Sequence, residues 1–548
     1  MLASPSLGGA SPARTVQKSA LMKILVADNV SERALEALKS EPSFEVVFLP
    51  AKAGATVTDE IKDADALVVR SATKVTAQLL EHAGRLRAIG RAGVGVDNVD
   101  LDAATKKGIV VMNTPGGNAV AVAEHALALI LALVRRLPQA DGALKQGKWE
   151  KKKLIGTELH SKTLGLIGLG KIGMEVARLA QAFQMKVVAY DPYVATMLAR
   201  EQDVELATLE ELLKASDFIS MHASATPETK HLLNARTLAL AKPGVRIVNC
   251  ARGELINEAD LLAALESGQV AGAGLDVFEQ EPPKDFKLVG HPNVVATPHI
   301  AGSTEEAQEI VGIRIAEQVR DYLLQGVARN AVNMPSISAE EYKKLQPYLE
   351  LGEKLGSFVA QIAGGRLEEI RISYDGGLAQ MNTHLVKNAV LKGILSRMLS
   401  EPANLVNAGA IAQSRGIEVL ELSSVRRAAY TNSLGISLRT ENDSASALGM
   451  VGLRGVLRIL GINDIDIEAP LRGVILFIRN QDVPGVIGRV GTLLGDRKIN
   501  IANFALGRNQ QAQEALGIVN VDNHVPDAVL DEIRAIPAVR FARVVSID

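Results

Sequence analysis

The stretch Thr163-Leu-Gly-Leu-Ile-Gly-Leu-Gly-Lys-Ile-Gly173 constrains this chain more than any other. It reads as a short apolar strand, glycines in the order G-x-G-x-x-G, and a helical run to residue 183. An acid, Asp191, closes the next apolar run. In such a strand–turn–helix unit Gly168 makes the tight turn, Gly170 lets the main chain approach a pyrophosphate, and Gly173 lets the helix pack on the strand. The free N–H groups and positive dipole end of the helix then face phosphate. Asp191 suits the two hydroxyls of an adenosine ribose and repels a 2′-phosphate, so NAD is expected rather than NADP. A glycine turn with no ligand is the bland alternative. Strand, helix and acid all falling in place argue against it.

The same alternation runs on both sides. Apolar runs at 23–28, 45–49, 66–70, 88–91 and 109–113 are separated by helical stretches at 31–38, 76–82 and 101–107. Strands buried on both faces and alternating with helices imply a parallel sheet. After one long helix, 119–136, a second series follows at 163–168, 186–191, 217–221, 246–250, 273–277 and 294–297. The expected fold is therefore α/β with two doubly wound parallel-sheet domains. Pro335-Ser336-Ile337-Ser338 marks a boundary, beyond which a less regular, mixed α/β segment extends to 471 and includes a helical 383–399. The last segment, 472–548, reads strand–helix–strand–strand–helix–strand, the ferredoxin-like βαββαβ order.

Composition narrows the function classes. In 548 residues, 60 Lys and Arg against 62 Asp and Glu leave no electrostatic footprint for nucleic acid or an anionic membrane. The single cysteine, Cys250, excludes an internal disulfide and multi-cysteine metal sites, so no metal is expected and the compartment should be reducing. The longest apolar stretch, 126–134, is about half the ~20 residues a bilayer requires. Residues 1–21 are rich in Ser, Pro, Ala and Gly and hold no acid. They read as a disordered tail or an upstream-start extension, with an organellar transit peptide as the alternative.

Three polar residues stand near strand ends in the second unit: Arg252 after 248–251, Glu281 before two prolines, and His299 in Thr297-Pro298-His299. Ligands of open parallel sheets bind beyond the strand C-termini, so all three can face one crevice. Oxidising a secondary alcohol removes a hydride and a hydroxyl proton. A histidine takes that proton near neutral pH. A carboxylate orients its ring and stabilises the imidazolium, and a guanidinium fork binds a 2-hydroxy acid's carboxylate. Spacing alone does not separate this reading from a structural histidine, a phosphate-contacting arginine and a solvated acid.

Residues 155–173, 249–253, 276–283 and 297–304, with Arg70–Thr76, Gly90–Asn98 and Asn113–Asn118, resemble the D-isomer-specific 2-hydroxyacid dehydrogenases across essentially 22–548. The resemblance implies that a Rossmann unit is inserted in a flavodoxin-like substrate domain. The domains would then be 22–118 with 300–330 for substrate, 119–299 for NAD, 335–471 intervening and 472–548 an ACT regulatory domain. It implies that Arg252 binds substrate, Glu281 supports the histidine and His299 is the acid/base. Gly168, Gly170, Lys171, Ile172, Gly173 and Asp191 match the cofactor loop. Val94, Ala223, Cys250, Asp276 and Gly302 match further cofactor contacts, with Asp276 expected at the nicotinamide amide. Val94 and Gly95 fall in the loop that meets the substrate carboxylate. Arg70 and Arg91 would attract a phosphate, which with the appended domains points to D-3-phosphoglycerate oxidised at C2, the first step of phosphorylated serine synthesis. Ser224 stands where the family often has Pro, and Glu254 where it often has Gly; neither should remove activity.

In the C-terminal domain the resemblance implies paired ACT sheets and L-serine as effector, held by Asn480, Asp482 and Asn500. A purely structural dimerisation module is the alternative. The chain is expected to form a homodimer or homotetramer in the cytoplasm, or in a plastid stroma if residues 1–21 direct import. Three rivals stand beside this reading: a dehydrogenase for glycerate, lactate or 2-hydroxyglutarate, an NAD-sensing corepressor-like protein, and an amino-acid-responsive regulator.

Overall fold

The structure is a computed structural model that describes residues 21–51, 56–399, 403–424, 432–509, 511 and 513–547. The expected N-terminal tail lies outside the described residues except for Leu21. Strands β1 (Met22–Val26), β2 (Phe44–Phe48), β3 (Ala66–Val69), β4 (Ala88–Arg91) and β5 (Val110–Met112) form a parallel sheet in the order β2-β1-β3-β4-β5. Both faces are buried, as continuous apolar strands require. Ile24 and Val26 pack on one side, and Leu25 on the other.

A second parallel sheet contains β6 (Thr163–Ile167), β7 (Lys186–Tyr190), β8 (Glu205–Leu206), β9 (Phe218–Met221), β10 (Val245–Asn249), β11 (Val270–Leu275) and β12 (Val294–Ala296). Its order is β12-β11-β10-β9-β6-β7-β8, and its direction of winding reverses between β6 and β9. The helix Ala119–Arg135 crosses from the first sheet to the second and buries Val122, Ala126 and Ile130 against Leu164 and Leu166. The chain returns through the helix Glu305–Gln325, which Thr304 caps at its start and Gly326 ends at φ 74°. Its Val311, Ile315 and Val319 pack on Ile24 and Val26 of the first sheet. The second unit is thus an insertion in the first, and the C-terminal ends of both sheets border one cleft.

Beyond residue 335 the regularity is greater than the sequence suggests. A helix spans Ala339–Ile362, opened by a Ser338–Glu341 capping box and continuous past Pro347. With the helix Thr383–Met398 it covers one face of a six-stranded mixed sheet, where Leu367–Asp375 runs parallel to Glu418–Ser424 and the remaining pairs are antiparallel. The last unit is a four-stranded antiparallel sheet built from Gly473–Gln481, Ile501–Asn509, Glu514–Val521 and Val539–Ile547. Its two central strands, Gly473–Gln481 and Glu514–Val521, are buried on both faces. Leu476 and Ile478 face the unit's own helices, whereas Ile475 and Phe477 join the core under Phe358 of the preceding helix. Phe477 meets Phe358 edge-to-face at 6.3 Å and Phe541 at 5.9 Å.

This shared core ties the final unit to its neighbour. Phe477→Ala should cost about 3–5 kcal/mol. Hydrogen exchange is expected to show lost protection across 473–481, and unchanged protection there would mean that the aromatic contact is dispensable.

Candidate active site

Strand register places the site. Ile167, Met221, Asn249, Leu275 and Ala296 are paired across β6, β9, β10, β11 and β12. The residues that follow them, Gly168, His222, Cys250, Asp276 and Thr297, therefore leave the sheet at one level. Two adjoining cavities of about 600 and 620 Å³ open above this row and below the first sheet's loops. Arg91, Asp97, Arg252, Glu281 and His299 border both.

His299 Nδ1 lies 2.7 Å from Glu281 Oε2, which holds the imidazole above its usual pKa and directs Nε2 away from the acid. Arg252 follows β10 in a turn shaped by buried Asn249, whose side chain bonds the Arg252 carbonyl and the Ala251 N–H. Its guanidinium donates to the Ala251 carbonyl at 2.7 Å and pairs with Asp97 at 2.9 Å. Asp97 closes the stretch Gly93-Val-Gly-Val-Asp97, where nothing in the local sequence points to a role for it. Its side chain is 73% exposed, and it presents to Arg252 the same carboxylate chemistry that a substrate would.

From the first sheet come Arg70, after β3, and Arg91, the last residue of β4. Arg70 donates to the Asn29 carbonyl at 3.0 Å. Arg91 is largely buried with its Nε unpartnered, and burial together with the charge of Arg252 draws its pKa down. Three guanidiniums, two from the first unit and one from the second, thus line one cavity of the cleft. Lys74 lines the adjoining cavity, a contribution that the sequence reading missed. Val94 and Gly95 line the cleft next to Arg91, and Asn113 fixes the loop by donating to the Val94 carbonyl.

The glycine turn meets the requirements of a dinucleotide. Gly168 has φ 95°, and a Cβ there would stand 2.7 Å from the main chain of His222 and Ala223. Gly170 opens onto free space, the gap that a side chain would close to phosphate. Lys171 starts the following helix, and its Nζ reaches the Pro115 carbonyl at 3.3 Å. Gly173 is buried at the point where that helix meets Gly168. Asp191 receives the Leu169 N–H at 2.8 Å, which couples the acid to the turn. Ile172, Ala223, Cys250 and Gly302 line the same cavity. His222, pushed down to about 4 by burial, is neutral there and keeps an unpartnered Nδ1. Burial also raises the Cys250 thiol, with Asp276 adding to the effect, so this cysteine is no nucleophile near neutral pH. These residues fit a nicotinamide dinucleotide. Asp276 is completely buried, and its carboxylate is engaged by Thr297 and by the amides of Ile300 and Ala301. Among the described residues, no cluster of His, Cys, Asp and Glu could hold a metal.

The three candidate effector residues do not meet within one chain. Asp482 lies at one end of the last sheet, paired with Arg508 at 2.7 Å, and Asn480 is buried nearby on the same strand. Asn500 lies at the opposite end, donating to Asp522 at 2.6 Å. The register between them corresponds to roughly 25 Å of strand.

Residues 127–301 match the NAD binding domain of D-isomer specific 2-hydroxyacid dehydrogenases, 344–463 the intervening domain of D-3-phosphoglycerate dehydrogenase, and 474–538 the ACT domain. The chain is 42% identical to a D-3-phosphoglycerate dehydrogenase of Synechocystis, covering 98% of this chain and 97% of that one. Its identity to one from Methanocaldococcus jannaschii is 43%, over 96% and 100%. Among solved structures, a glyoxylate reductase from Paecilomyes thermophila superposes with a TM-score of 0.51 at 30% identity, covering 57% of this chain and 98% of that one. The cleft, the glycine turn and the two appended units agree with these likenesses: the chain belongs to the D-isomer specific 2-hydroxyacid dehydrogenase family, within its long-form D-3-phosphoglycerate dehydrogenases that carry intervening and ACT domains.

Proposed function

We propose that His299, Glu281 and Arg252 carry out the reaction of this family, NAD-dependent oxidation of D-3-phosphoglycerate at C2 to 3-phosphooxypyruvate. The observation that carries this reading is the 2.7 Å His299–Glu281 pair, set beside Arg252 at the mouth of the glycine turn. NAD, when bound, accepts the hydride from C2. His299 Nε2 takes the hydroxyl proton, and Glu281 on Nδ1 stabilises the imidazolium that results. Arg252 exchanges Asp97 for the substrate carboxylate and polarises the forming carbonyl. Arg70 and Arg91 hold the phosphate. Phosphate relieves the mutual repulsion of guanidiniums that burial makes costly at Arg91. Asp191 sets the preference for the unphosphorylated ribose.

Two copies are needed to complete the effector site. Pairing the last sheets edge to edge brings Asn500 of one chain toward Asn480 and Asp482 of the other, where L-serine competes with Arg508 for Asp482. A second contact between copies is supported by Leu137, Leu144, Trp149 and Ile155, all exposed, with Trp149 at 82%. We therefore read the chain as a homodimer or a tetramer built from it. Among the described residues, no helix is long and apolar enough to cross a membrane. A relative from Arabidopsis, 39% identical, is named chloroplastic. We assign this chain to the cytoplasm, or to a plastid stroma if residues 1–21 direct import.

His299→Asn should reduce kcat about 10²–10⁴-fold in the oxidation of D-3-phosphoglycerate, with little change in NAD affinity. Retained turnover would favour the NAD-sensing rival. The base must be unprotonated, and Glu281 raises its pKa, so kcat/KM should fall as pH drops through a value above 6.5. Glu281→Gln removes the partner charge and should move that limb to lower pH. Arg91→Ala or Arg70→Ala should raise KM for D-3-phosphoglycerate roughly 10–100-fold, in line with a lost charged hydrogen bond, and should leave a non-phosphorylated 2-hydroxy acid unaffected. Equal turnover of glycerate by the unmodified enzyme would favour the rival substrate class. Co-expressed Asp482→Ala and Asn500→Ala chains should form mixed dimers that bind L-serine at half stoichiometry by calorimetry, while each variant alone binds none. Full binding by either variant alone would end the shared-site reading.

A further inference from the structure

The long helix Ala119–Arg135 is almost wholly apolar on its buried side, yet it places a histidine against the second sheet. His125 Nε2 lies 3.0 Å from Thr297 Oγ1. The Thr297 hydroxyl has a single hydrogen and gives it to Asp276 Oδ1 at 2.6 Å, so it must accept from His125. The His125 proton is therefore on Nε2, which also lies 3.5 Å from Asp276 Oδ1.

Asp276 is the point to which the His299 turn is tied. The Asp276 carbonyl accepts the His299 N–H at 2.8 Å. Its carboxylate accepts the Ile300 and Ala301 N–H groups, each at 2.8 Å. Three consecutive residues are thus bonded to one buried side chain and its own main chain. The turn needs this restraint. His299 sits at φ 53°, a left-handed conformation that is uncommon for a residue with a β-carbon, and these bonds hold it there. Burial alone would raise the Asp276 carboxyl, but hydrogen bonds from His125, Thr297, Ile300 and Ala301 outweigh it and hold the group below the usual range.

We infer that His125 is a positioning residue for the reaction: through Thr297 it orients the buried Asp276 carboxylate, which fixes the turn that aims His299 at the substrate. The inference rests on the reading of His299 as the base. His125 lies behind the turn, on the helix side, and acts only through Thr297 and Asp276. Loss of its N–H leaves the Thr297 hydroxyl held only by its own bond to Asp276, and the restraint passed to the backbone under His299 weakens. A small displacement of a base is enough to spoil a near-attack geometry, so the effect falls on the chemical step more than on binding. Glu281, Asp276 and Arg252 are the charged groups facing His299, and a shifted turn changes its distance from all three. The apparent pKa of the base then moves as well.

The test is steady-state kinetics of the full-length enzyme with NAD and D-3-phosphoglycerate across pH, for His125→Leu, His125→Gln, Thr297→Val and Thr297→Ser. His125→Leu and Thr297→Val should each lower kcat about 10–100-fold, with KM changed less than about threefold, and should displace the acid limb of the kcat profile. The side-chain amide of Gln offers an N–H near the position of Nε2, and Ser keeps the hydroxyl. Both conservative variants should recover kcat to within about threefold, together with the original limb. The double variant His125→Leu/Thr297→Val should be no worse than either single one, because both break the same chain. A His125→Leu or Thr297→Val enzyme with unchanged kcat and pH limb, altered only in its unfolding midpoint, overturns the inference and leaves a core histidine. Thr297→Val is nearly isosteric and serves if His125→Leu does not fold. Retained turnover by His299→Asn overturns the underlying reading instead, and the inference with it.

Discussion

The carboxylate of Asp276 is sealed from solvent directly beneath the His299 turn, and it accepts the N–H groups of Ile300 and Ala301 there. A buried charge is tolerable only when its lone pairs are occupied. Asp276 meets that condition by taking donors from the loop it faces, so its cost of burial and the order of the loop are the same fact. Strand β11 ends one residue earlier, in register with β10 and β12. The turn is therefore referenced to the sheet and, through the sheet, to the Arg252 turn after β10 and the glycine turn after β6. Precision at His299 derives from hydrogen bonds to a rigid scaffold, and the 2.7 Å contact with Glu281 is built upon it.

Charge acts across the cleft. Arg70, Arg91 and Arg252 approach one another; Asp97 pairs with Arg252 at 2.9 Å, and Arg91 feels both of the other guanidiniums as well as Asp97 and Asp28. Burial and the neighbouring guanidiniums disfavour the charge on Arg91, and the substrate we propose would offset this with a phosphate and a carboxylate. Two of the three arginines belong to the first sheet and the third to the second. On the proposed reading, a substrate carrying both anions would bridge the two units, linking its affinity to closure of the cleft and exclusion of water.

The C-terminal half is coupled differently. Its last two units share one apolar core around Phe358 and Phe477. Asn404 reaches back to the Gly108 carbonyl at 2.8 Å, and Val406 inserts into the core of the first unit. A disturbance in the last sheet thus has a packed route to the unit that carries Arg70 and Arg91.

Much of this was legible in the residues. The G-x-G-x-x-G turn, the two series of apolar runs and the final βαββαβ order follow from periodicities that short local interactions impose, and the strand positions agree to within a few residues. Arg252, Glu281 and His299 stand out by residue type and by the family resemblance, while their spacing alone leaves bland readings open; the structure brings the three to one cleft. The helix Ala339–Ile362 was not recognised, because it packs against a helix on one side and sheets on others, which blurs the 3.6-residue pattern, and because Pro347 suggests a break. Locally His125 is only a polar residue at the edge of the apolar run 126–134, and Asp97 one letter of a glycine-rich motif. Their roles depend on partners 172 and 155 positions away, Thr297 and Arg252. Local sequence carries the elements and the reactive groups, since those depend on neighbours along the chain. Strand register and the insertion of one unit in another bring distant groups within hydrogen-bond reach, and they settle what each group is aimed at.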